Sequence, residues 1–472
     1  MTTVLFIYPP VSFQDISPLA AYSPPLGILY LGTVLKNKGH EVHVIDVEAE
    51  RLSLPQVIKR VESIDPEIIG LTCLTYTLES CKALIKEIRK VSDAFIAVGG
   101  PHVSVAPLES LKEIGADVYV VGEAELVIED IVKNKPQGII HAQEIRDLDS
   151  IPFPDRSLVE HIKYGNFYGM KMRENMTGIL TTRGCKYGCT YCNRPKKLCF
   201  RVRSPKNIVQ ELKEIDRMGF ESVWLADDNF TNDPKNVIKL ARLIKRERLR
   251  FDFYGQARVD VPSEALYRSM RDMGVIGLSF GVESLKPEVI KWYNKTKYPE
   301  KWPQYVKKTL DLCNKYGIIF LGSLIFGAPM ETKDDMEYSI EFLEKHGADL
   351  INGNILLYLL GSAIWHEARK MGKIRPDQFI VPAPVIGMTP YSYEELSELC
   401  NRCTDFSKRE GWKGVVRKVL KRRQFGIIYD GMKEFIKNYW RVRRVRKEVY
   451  KYGYGKEVQV TRWGDVHGKR DH

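Results

Sequence analysis

Three of the nine cysteines lie within eight residues of one another, in the segment TTRGCKYGCTYCNRPK of residues 181–196. Cys185, Cys189 and Cys192 form a C-x3-C-x2-C loop, which is open to three interpretations: a remnant of a disulfide framework, a zinc site short of a ligand, or an iron–sulfur site. Structural zinc sites need four ligands, and no fourth ligand lies nearby in the sequence. A cubane cluster bound by three thiolates keeps one iron open to an exogenous ligand. The spacing therefore favours iron–sulfur chemistry.

The composition is that of an ordinary globular protein. The chain has 472 residues, 44% of them hydrophobic, and a formal net charge of +12. An odd number of thinly spread cysteines argues against a disulfide framework. No segment approaches the ~20 uninterrupted apolar residues of a membrane span, and the start MTTVLFIYPP lacks the features of a signal peptide. We therefore expect a cytoplasmic protein whose thiols are reduced.

Residues 1–145 alternate short apolar runs with amphipathic segments. Five apolar runs are typical of buried parallel strands: TVLFIY (3–8), EVHVID (41–46), EIIGLT (67–72), AFIAVG (94–99) and DVYVVG (117–122). Helical patterns lie between them, among them residues 26–39 and 78–91. Five such units predict a doubly wound, Rossmann-like α/β domain, in which ligands bind at the carboxyl ends of the strands.

The loops at those strand ends are YPPVS, TCLTYT, VGGPHVS and VGEAE, which are rich in small residues, hydroxyls and glycine. Gly99, Gly100 and Gly122 permit a bulky ligand to approach the backbone closely, because glycine has no Cβ. Each glycine alone could be an ordinary turn residue. Four such loops on one sheet edge favour a ligand platform.

A second alternation follows a proline-bearing linker at residues 146–170. Six apolar runs lie at residues 177–182, 222–226, 253–257, 276–280, 318–325 and 351–357. Helical patterns separate them, including residues 205–218 and 300–316. We expect a partial (β/α)6 barrel over residues 171–370 and a mainly helical, basic region over residues 371–472. The cysteine loop follows the first barrel strand, at the end where barrels carry their chemistry.

These residues resemble a known family. A C-x3-C-x2-C loop with an aromatic residue before its last cysteine resembles the radical S-adenosylmethionine (SAM) superfamily, in which the open iron binds SAM. The first half resembles the cobalamin (B12)-binding domain of the large cobalamin-dependent class; the matching stretches are YPP, SPPLGILYLGTVLKNKGHEV, VGGPHVS, GADVYVVGEAE and IPFPDR. The resemblance covers roughly residues 1–365. Relatives of the anaerobic magnesium-protoporphyrin cyclase and many carbon methyltransferases share this layout.

The resemblance implies a [4Fe–4S] cluster on the three cysteines and a set of SAM contacts. LADDNFT (225–231) matches the acidic segment after the second strand, FGVES (280–284) the segment after the fourth, and LIFGAPMET (324–332) the segment that contacts adenine. The candidate SAM contacts are Tyr191, Asp227, Asp228, Asn229, Arg258, Ser279 and Glu283. Arg258 would pair with the SAM carboxylate, which suits a guanidinium. The alternative for each of the polar residues is a helix cap or a surface charge.

The cobalamin domain lacks a D-x-H-x-x-G segment, which in the family supplies a histidine to cobalt. His102 would line the corrin pocket or be hydrogen-bonded locally, and the loop of residues 72–77 would lie beneath the corrin. The candidate cobalamin contacts are Pro25, Leu74, Thr75, Tyr76, Gly99, Gly100, His102, Gly122 and Glu123. By analogy with the family, the absence of a strong cobalt ligand favours methyl transfer by a radical route.

Two further features have alternative interpretations. Cys400 and Cys403 share one helix face. An auxiliary cluster would need further ligands such as Cys199 or Cys313, and two core cysteines are the simpler interpretation.

Residues 411–450 carry 13 Lys and Arg against 3 Asp and Glu. Such a basic, aromatic segment suits an anionic membrane surface, an acidic substrate or nucleic acid, or is a solvated helical region packed on the barrel. No RNA-binding module supports nucleic acid as the partner.

The resemblance implies a cobalamin-dependent radical SAM methyltransferase. In that family a 5′-deoxyadenosyl radical abstracts hydrogen from an unactivated carbon, which then takes a methyl group from methylcobalamin. A flavodoxin- or ferredoxin-type reductant would supply electrons. The alternatives are a radical cyclisation or carbon–carbon coupling on a lipid, isoprenoid or tetrapyrrole, and a cobalamin or iron–sulfur carrier or sensor.

Overall fold

A computed structural model describes the chain over residues 1–14, 23–167, 170–171, 175–193 and 199–421. Within this part the chain divides into two compact units, one formed by residues up to Met170 and the other by residues from Lys171 onward. Each unit has its own parallel sheet.

The first unit is a six-stranded parallel sheet in the order β2-β1-β3-β4-β5-β6. Its strands are β1 (Thr3–Tyr8), β2 (Glu41–Asp46), β3 (Ile68–Thr72), β4 (Phe95–Gly99), β5 (Val118–Val121) and β6 (Gly138–His141). Its helices are α1 (Leu26–Lys36), α2 (Val47–Glu50), α3 (Leu54–Ile64), α4 (Leu78–Ile88), α5 (Pro101–Val105), α6 (Pro107–Glu113) and α7 (Ile128–Asn134). The doubly wound fold and its five predicted strands are confirmed.

The prediction of only five strands was wrong, because β6 adds a sixth at the sheet edge beside β5. Three of its four residues are half-buried and one is exposed, so its sequence GIIH lacks the fully apolar run of a central strand. The strand order reverses between β1 and β3. In doubly wound sheets such a reversal opens the crevice in which ligands bind.

Two short strands, β7 (Asn166–Phe167) and β8 (Met170–Lys171), pair with each other. The strands that follow are β9 (Met176–Ile179), β10 (Thr182–Arg183), β11 (Arg201–Val202), β12 (Ser222–Leu225), β13 (Asp252–Arg258), β14 (Val275–Glu283), β15 (Ile319–Phe326) and β16 (Leu350–Ile355). The helices between them are α8 (Pro205–Arg217), α9 (Pro234–Arg246), α10 (Glu264–Met273), α11 (Pro287–Trp292), α12 (Trp302–Tyr316) and α13 (Lys333–Lys345).

Six of these strands form one parallel sheet in the order β9-β12-β13-β14-β15-β16. Each strand lies beside the one that precedes it in the sheet, with helices in the connections, as in a (β/α) barrel. In the described part of the chain β9 and β16 are the two edges of this sheet, so the barrel is partial. The predicted partial barrel is confirmed. β10 and β11 pair antiparallel and enclose the cysteine loop between them.

The remaining elements are β17 (Leu357–Leu359), β18 (Ile380–Pro382), α14 (Ala363–Lys370), α15 (Tyr393–Phe406) and α16 (Trp412–Lys421). Helix α15 packs against β16 so closely that a Cβ added to Gly353 would lie 2.9 Å from the Cα of Cys400 and 3.2 Å from the Sγ of Cys403. Both cysteines belong to the hydrophobic core of the barrel, as does Cys313. Burial raises the pKa of Cys400 to about 12, which disfavours the thiolate that a metal requires.

Helix α16 covers the amino ends of β15 and β16. Lys418 donates to Asp349 over 2.5 Å and to the carbonyl oxygen of Ile318 over 3.0 Å, and both partners lie at those strand starts. The basic segment of residues 411–450 therefore begins as a helix packed on the barrel, while its residues 422–450 lie outside the described part. No described helix has the length and apolar character needed to cross a membrane.

Candidate active site

The cysteine loop begins at the carboxyl end of β9, where Asp227 holds the chain. Asp227 follows β12 and accepts four hydrogen bonds, from the backbone N–H and hydroxyl of Thr181 (2.8 and 2.6 Å) and from those of Thr182 (2.6 and 3.0 Å). Its side chain is 3% exposed, and burial raises its pKa to about 6 although the hydrogen bonds oppose this shift. Both carboxylate oxygens are thus engaged in holding the start of the loop.

A second buried group holds the returning end of the loop. Arg203 donates from Nη1 to the carbonyl oxygen of Leu180 over 2.7 Å and to Glu211 over 2.6 Å, and its backbone N–H donates to the carbonyl of Thr181. Glu211 is fully buried on the inner face of α8. Sequence reasoning missed this pair; its signal is an acidic residue at a core position of an amphipathic helix, which calls for a cationic partner.

The three cysteine thiols lie half-buried on this loop. Gly184 adopts φ +75°, a left-handed conformation that favours glycine, and Cys192 N–H donates to the carbonyl of Cys189. Among the described residues, no three His, Cys, Asp or Glu side chains form a group that could hold a single metal ion. A cubane cluster distributes its cysteines over different iron atoms, so its ligands need not meet at one point. Three thiols on one loop fit a [4Fe–4S] cluster with one iron left for an exogenous ligand.

The middle of the loop is held by the end of α11 and by the residues that follow it. Thr190 donates through its backbone N–H to the carbonyl of Tyr293 and through its hydroxyl to the carbonyl of Trp292, each over 3.0 Å. Asn294 Nδ2 donates to the carbonyl of Gly188 over 3.0 Å. The loop is therefore attached to the protein at its start, middle and end.

Tyr191 is held by a buried ion pair. Its hydroxyl donates to Glu283 over 2.8 Å and accepts from Lys295 over 2.9 Å, while Lys295 and Glu283 pair directly. Burial and the negative charge of Glu283 raise the pKa of the Tyr191 phenol well above its usual range. Glu283 has φ +62°, a strained conformation for a residue other than glycine. The structure thus brings Tyr191 and Glu283 together, and it adds Lys295, which sequence reasoning did not single out.

Arg258 reaches the same loop from the end of β13. Its guanidinium makes a bidentate pair with Asp260 (Nε 2.9 Å, Nη2 2.7 Å) and donates to the carbonyl of Lys295. Its Nη1 lies 3.6 Å from the Sγ of Cys189. Asp260 is therefore the bidentate partner of Arg258, and pairing of Arg258 with the SAM carboxylate stays a prediction.

Asn229 connects the acidic segment to the first cysteine. Its Oδ1 accepts from the N–H and hydroxyl of Thr231, and its Nδ2 donates to Asn232 over 3.0 Å. The Oδ1 of Asn232 lies 3.8 Å from the Sγ of Cys185, while its buried Nδ2 has no hydrogen-bond partner among the described residues. A buried donor beside a cluster ligand suits a bound polar group such as SAM.

The other two predicted SAM contacts differ in burial. Asp228 is exposed just after β12, and Ser279 is buried within β14.

The predicted adenine segment LIFGAPMET is hydrogen-bonded to the residue after β14. Gly327 has φ +95°, and Glu331 accepts from Ser284 over 2.6 Å. Burial raises the pKa of Glu331 to about 7.

In the first unit, the loops after the neighbouring strands β3 and β4 contact each other. Gly100 has φ +105°, and a Cβ there would lie 2.8 Å from the carbonyl oxygen of Cys73. Cys73 N–H donates to the carbonyl of Gly99, and the carbonyl of Cys73 accepts from His102 N–H. Only glycine permits this approach. Gly122, at φ +97°, is held by a 3.1 Å bond from its N–H to Ser104.

His102 is 1% exposed, and its Nδ1 lies 3.3 Å from the hydroxyl of Thr75 in the β3 loop. Burial lowers its pKa to about 4, so the imidazole is neutral at pH 7. In the same loop Leu74 is half-buried and Tyr76 is 43% exposed. The structure therefore brings Thr75, Gly99, Gly100 and His102 together.

The two remaining predicted cobalamin contacts, Glu123 and Pro25, lie elsewhere in the first unit. Glu123, after β5, accepts from the N–H of Ile145 over 2.8 Å, so it holds the chain beyond β6. Pro25 directly precedes α1, and its carbonyl accepts from the N–H of Leu29.

Comparison with known proteins identifies both units. The family model of the B12-binding domain matches residues 16–132, and that of the radical SAM superfamily matches residues 179–343. An uncharacterised methyltransferase from Pyrococcus horikoshii is 26% identical over 429 residues, which cover 84% of this chain and 91% of that protein. The anaerobic magnesium-protoporphyrin IX monomethyl ester cyclase of Rubrivivax gelatinosus is 26% identical over 381 residues, which cover 74% of this chain and 67% of that protein.

Among solved structures, the radical SAM methyltransferase TsrM from Kitasatospora setae, with cobalamin and a [4Fe–4S] cluster bound, superposes with a TM-score of 0.64. The match covers 79% of this chain and 76% of TsrM at 18% identity, so it establishes the shared fold. A B12-binding domain followed by a radical SAM domain defines the cobalamin-dependent class of radical SAM enzymes. The chain belongs to this family, whose cofactors are a [4Fe–4S] cluster, SAM and cobalamin.

Proposed function

We propose that the protein methylates an unactivated carbon atom of a small-molecule substrate by a radical route. The observation that carries this proposal is the loop of three half-buried cysteines, held at the carboxyl end of the first barrel strand in a chain that also has a B12-binding domain. Methyltransferases among the similar proteins support the reaction type.

When bound, the cofactors supply the difficult chemistry: one electron for SAM cleavage and a methyl group for transfer. The protein supplies the cluster ligands Cys185, Cys189 and Cys192, on a loop whose start Asp227 fixes. The Tyr191–Glu283–Lys295 network fixes the residue between the last two cysteines. We assign SAM contacts to the surroundings of this loop, where the buried Nδ2 of Asn232 has no hydrogen-bond partner among the described residues.

We assign the corrin to the loops after β3, β4 and β5, because their glycines admit a large planar group to the backbone. His102 is neutral and already hydrogen-bonded to Thr75, which supports a role in shaping the pocket. With no D-x-H-x-x-G segment in the sequence, we propose that this domain holds cobalamin without that histidine ligand.

Radical cyclisation or coupling is the second candidate, and the similarity to the magnesium-protoporphyrin cyclase favours it. We further propose a cytoplasmic location and a flavodoxin- or ferredoxin-type reductant, because the cluster loop requires reduced thiols. Contact of the basic segment with a membrane surface stays a prediction, since most of residues 411–450 lie outside the described part.

The test is anaerobic reconstitution with iron, sulfide and cobalamin, followed by reduction and incubation with methyl-labelled SAM. The variants are Cys185→Ala, Cys189→Ala and Cys192→Ala, and the matched control is Cys199→Ala, which removes an exposed thiol outside the C-x3-C-x2-C motif. We expect 5′-deoxyadenosine from the wild type and the control, and none from the loop variants.

S-adenosylhomocysteine and a labelled product would support methylation. A product without label, formed together with 5′-deoxyadenosine, would favour cyclisation or coupling. Iron binding without any SAM cleavage, even with candidate substrates present, would overturn the enzyme proposal in favour of a carrier or sensor.

A further inference from the structure

The guanidinium of Arg258 is fixed in one orientation beside the cysteine loop. Its side chain is 6% exposed, and its Nε and Nη2 donate to the two oxygens of Asp260. Nη2 also donates to the carbonyl of Lys295, and the guanidinium carbon lies 3.6 Å from the centroid of the Tyr187 ring. A planar fork held on one edge by a carboxylate and on one face by an aromatic ring cannot turn freely.

This fixed orientation leaves Nη1 facing a cysteine sulfur. Nη1 lies 3.6 Å from the Sγ of Cys189, within hydrogen-bonding distance of a sulfur acceptor. The guanidinium of Arg258 is charged under all working conditions, because arginine is not deprotonated in proteins.

We propose that Arg258 sets the reduction potential of the cluster by donating a hydrogen bond to the sulfur of Cys189, and that Asp260 moderates this effect. The inference rests on the proposed function, because it requires the cluster on Cys189. Reduction adds one negative charge to the cluster. A donor to a ligand sulfur and a nearby positive charge stabilise the reduced state more than the oxidised state. Arg258 thus makes the cluster easier to reduce.

The proposal predicts opposite shifts for two neighbouring substitutions. Arg258→Gln removes the positive charge and replaces the guanidinium donor with a shorter, neutral amide, so it should make the cluster harder to reduce. Asp260→Asn keeps the guanidinium and removes its negative partner, so it should make the cluster easier to reduce. A purely structural role for the pair predicts no such opposition of sign, because either change would merely loosen the loop.

The experiment is an EPR-monitored redox titration of the full-length protein after anaerobic reconstitution, with iron and sulfide content measured for each variant. At a fixed potential, we expect Arg258→Gln to lower the ratio of reduced to oxidised cluster about tenfold, which is about 59 mV for one electron. Asp260→Asn should raise this ratio, and Arg258→Lys, which keeps the charge but loses the fork, should lie between Arg258→Gln and the wild type. The control is Arg268→Gln, which removes an equal charge from the exposed face of α10.

An unchanged potential in cluster-loaded Arg258→Gln, or shifts of the same sign in Arg258→Gln and Asp260→Asn, would overturn the inference. If Arg258→Gln binds no cluster, the result for Asp260→Asn alone decides. A ratio of reduced to oxidised cluster above that of the wild type supports the inference, and an equal or lower ratio refutes it. Loss of the cluster in both variants would mean that the pair only holds the loop. A wild type that forms no cluster would instead refute the proposed function, and SAM turnover plays no part in this measurement.

Discussion

Replacing Asp227 tests whether this carboxylate holds the start of the cysteine loop. In Asp227→Ala, the backbone N–H groups of Thr181 and Thr182 lose their acceptor inside the protein. The hydroxyl groups of both threonines can rotate to other acceptors, whereas the backbone N–H groups cannot. A buried donor left unpaired costs about 1–3 kcal/mol, so two of them predict a loss of roughly 2–6 kcal/mol in the free energy of unfolding.

Asp227→Asn is the matched control, because it keeps the shape and one acceptor oxygen. An amide oxygen at the position of Oδ1 accepts from the N–H groups of Thr181 and Thr182 and from the hydroxyl of Thr182. The hydroxyl of Thr181 can reverse its role and accept from the new amide N–H. We expect a loss below about 2 kcal/mol, since neutral hydrogen bonds are weaker than charge-assisted ones but both backbone N–H groups keep an acceptor.

The assay is chemical denaturation of the apoprotein followed by tryptophan fluorescence at pH 7.5. Residues 1–170 contain no tryptophan, and the tryptophans of the described part of the chain, with Trp224 in β12 close to Asp227, all belong to the second unit. Bound iron per chain after reconstitution is measured in parallel. Equal losses in the Ala and Asn variants, or an Ala loss below about 1 kcal/mol, would refute the assignment of Asp227 as the acceptor that fixes this turn.

Three further predictions concern other parts of the chain. Burial raises the pKa of Asp46 to about 6 from 3.8, so the folded first unit binds the proton more tightly, and its free energy of unfolding should fall by up to about 3 kcal/mol as pH rises from about 4 to above 6. Asp46→Asn should weaken this pH dependence in hydrogen exchange of β1 and β2, and a part should remain because burial also raises the pKa of Glu48 to about 7. Gly100→Ala should abolish retention of cobalamin absorbance on gel filtration, because its Cβ meets the carbonyl of Cys73 at 2.8 Å; full retention would contradict the placement of the corrin. Lys418→Met leaves Asp349 buried without its cation, so the free energy of unfolding, measured by tryptophan fluorescence, should fall by about 3–5 kcal/mol. A change within about 0.5 kcal/mol would mean that α16 does not pack against Asp349.

Most of the fold was predictable because its signals are local. The buried parallel strands of both units are short apolar runs in the sequence, and amphipathic helical patterns separate them. Eleven of the twelve strands in the two large sheets could therefore be predicted from the hydrophobic pattern. The missing strand, β6, is short and largely half-buried, so its four residues carry no comparable pattern. The domain matches over residues 16–132 and 179–343 agree with the order of the two units.

The candidate site was predictable in part. The cysteine spacing indicates the cluster loop because all three cluster ligands lie in one short segment of the sequence. The partners of that loop were not indicated, since Arg203 and Lys295 are ordinary charged residues until the fold brings them to the loop. For the same reason the sequence could not tell that Asp260 takes the bidentate pair of Arg258.

The sequence by itself determined the two α/β units, the cysteine loop at the end of a first strand, and the glycine-bearing loops at the ends of the first sheet. The tertiary structure alone decided which side chains meet. Asp227 reaches Thr181 because β12 pairs with β9 in the register that sets Leu225 beside Ile179, and Arg258 reaches Cys189 across 69 residues of chain. Local periodicity reports which residues are buried, whereas such pairings depend on strand order and register, which only the packing of distant segments fixes.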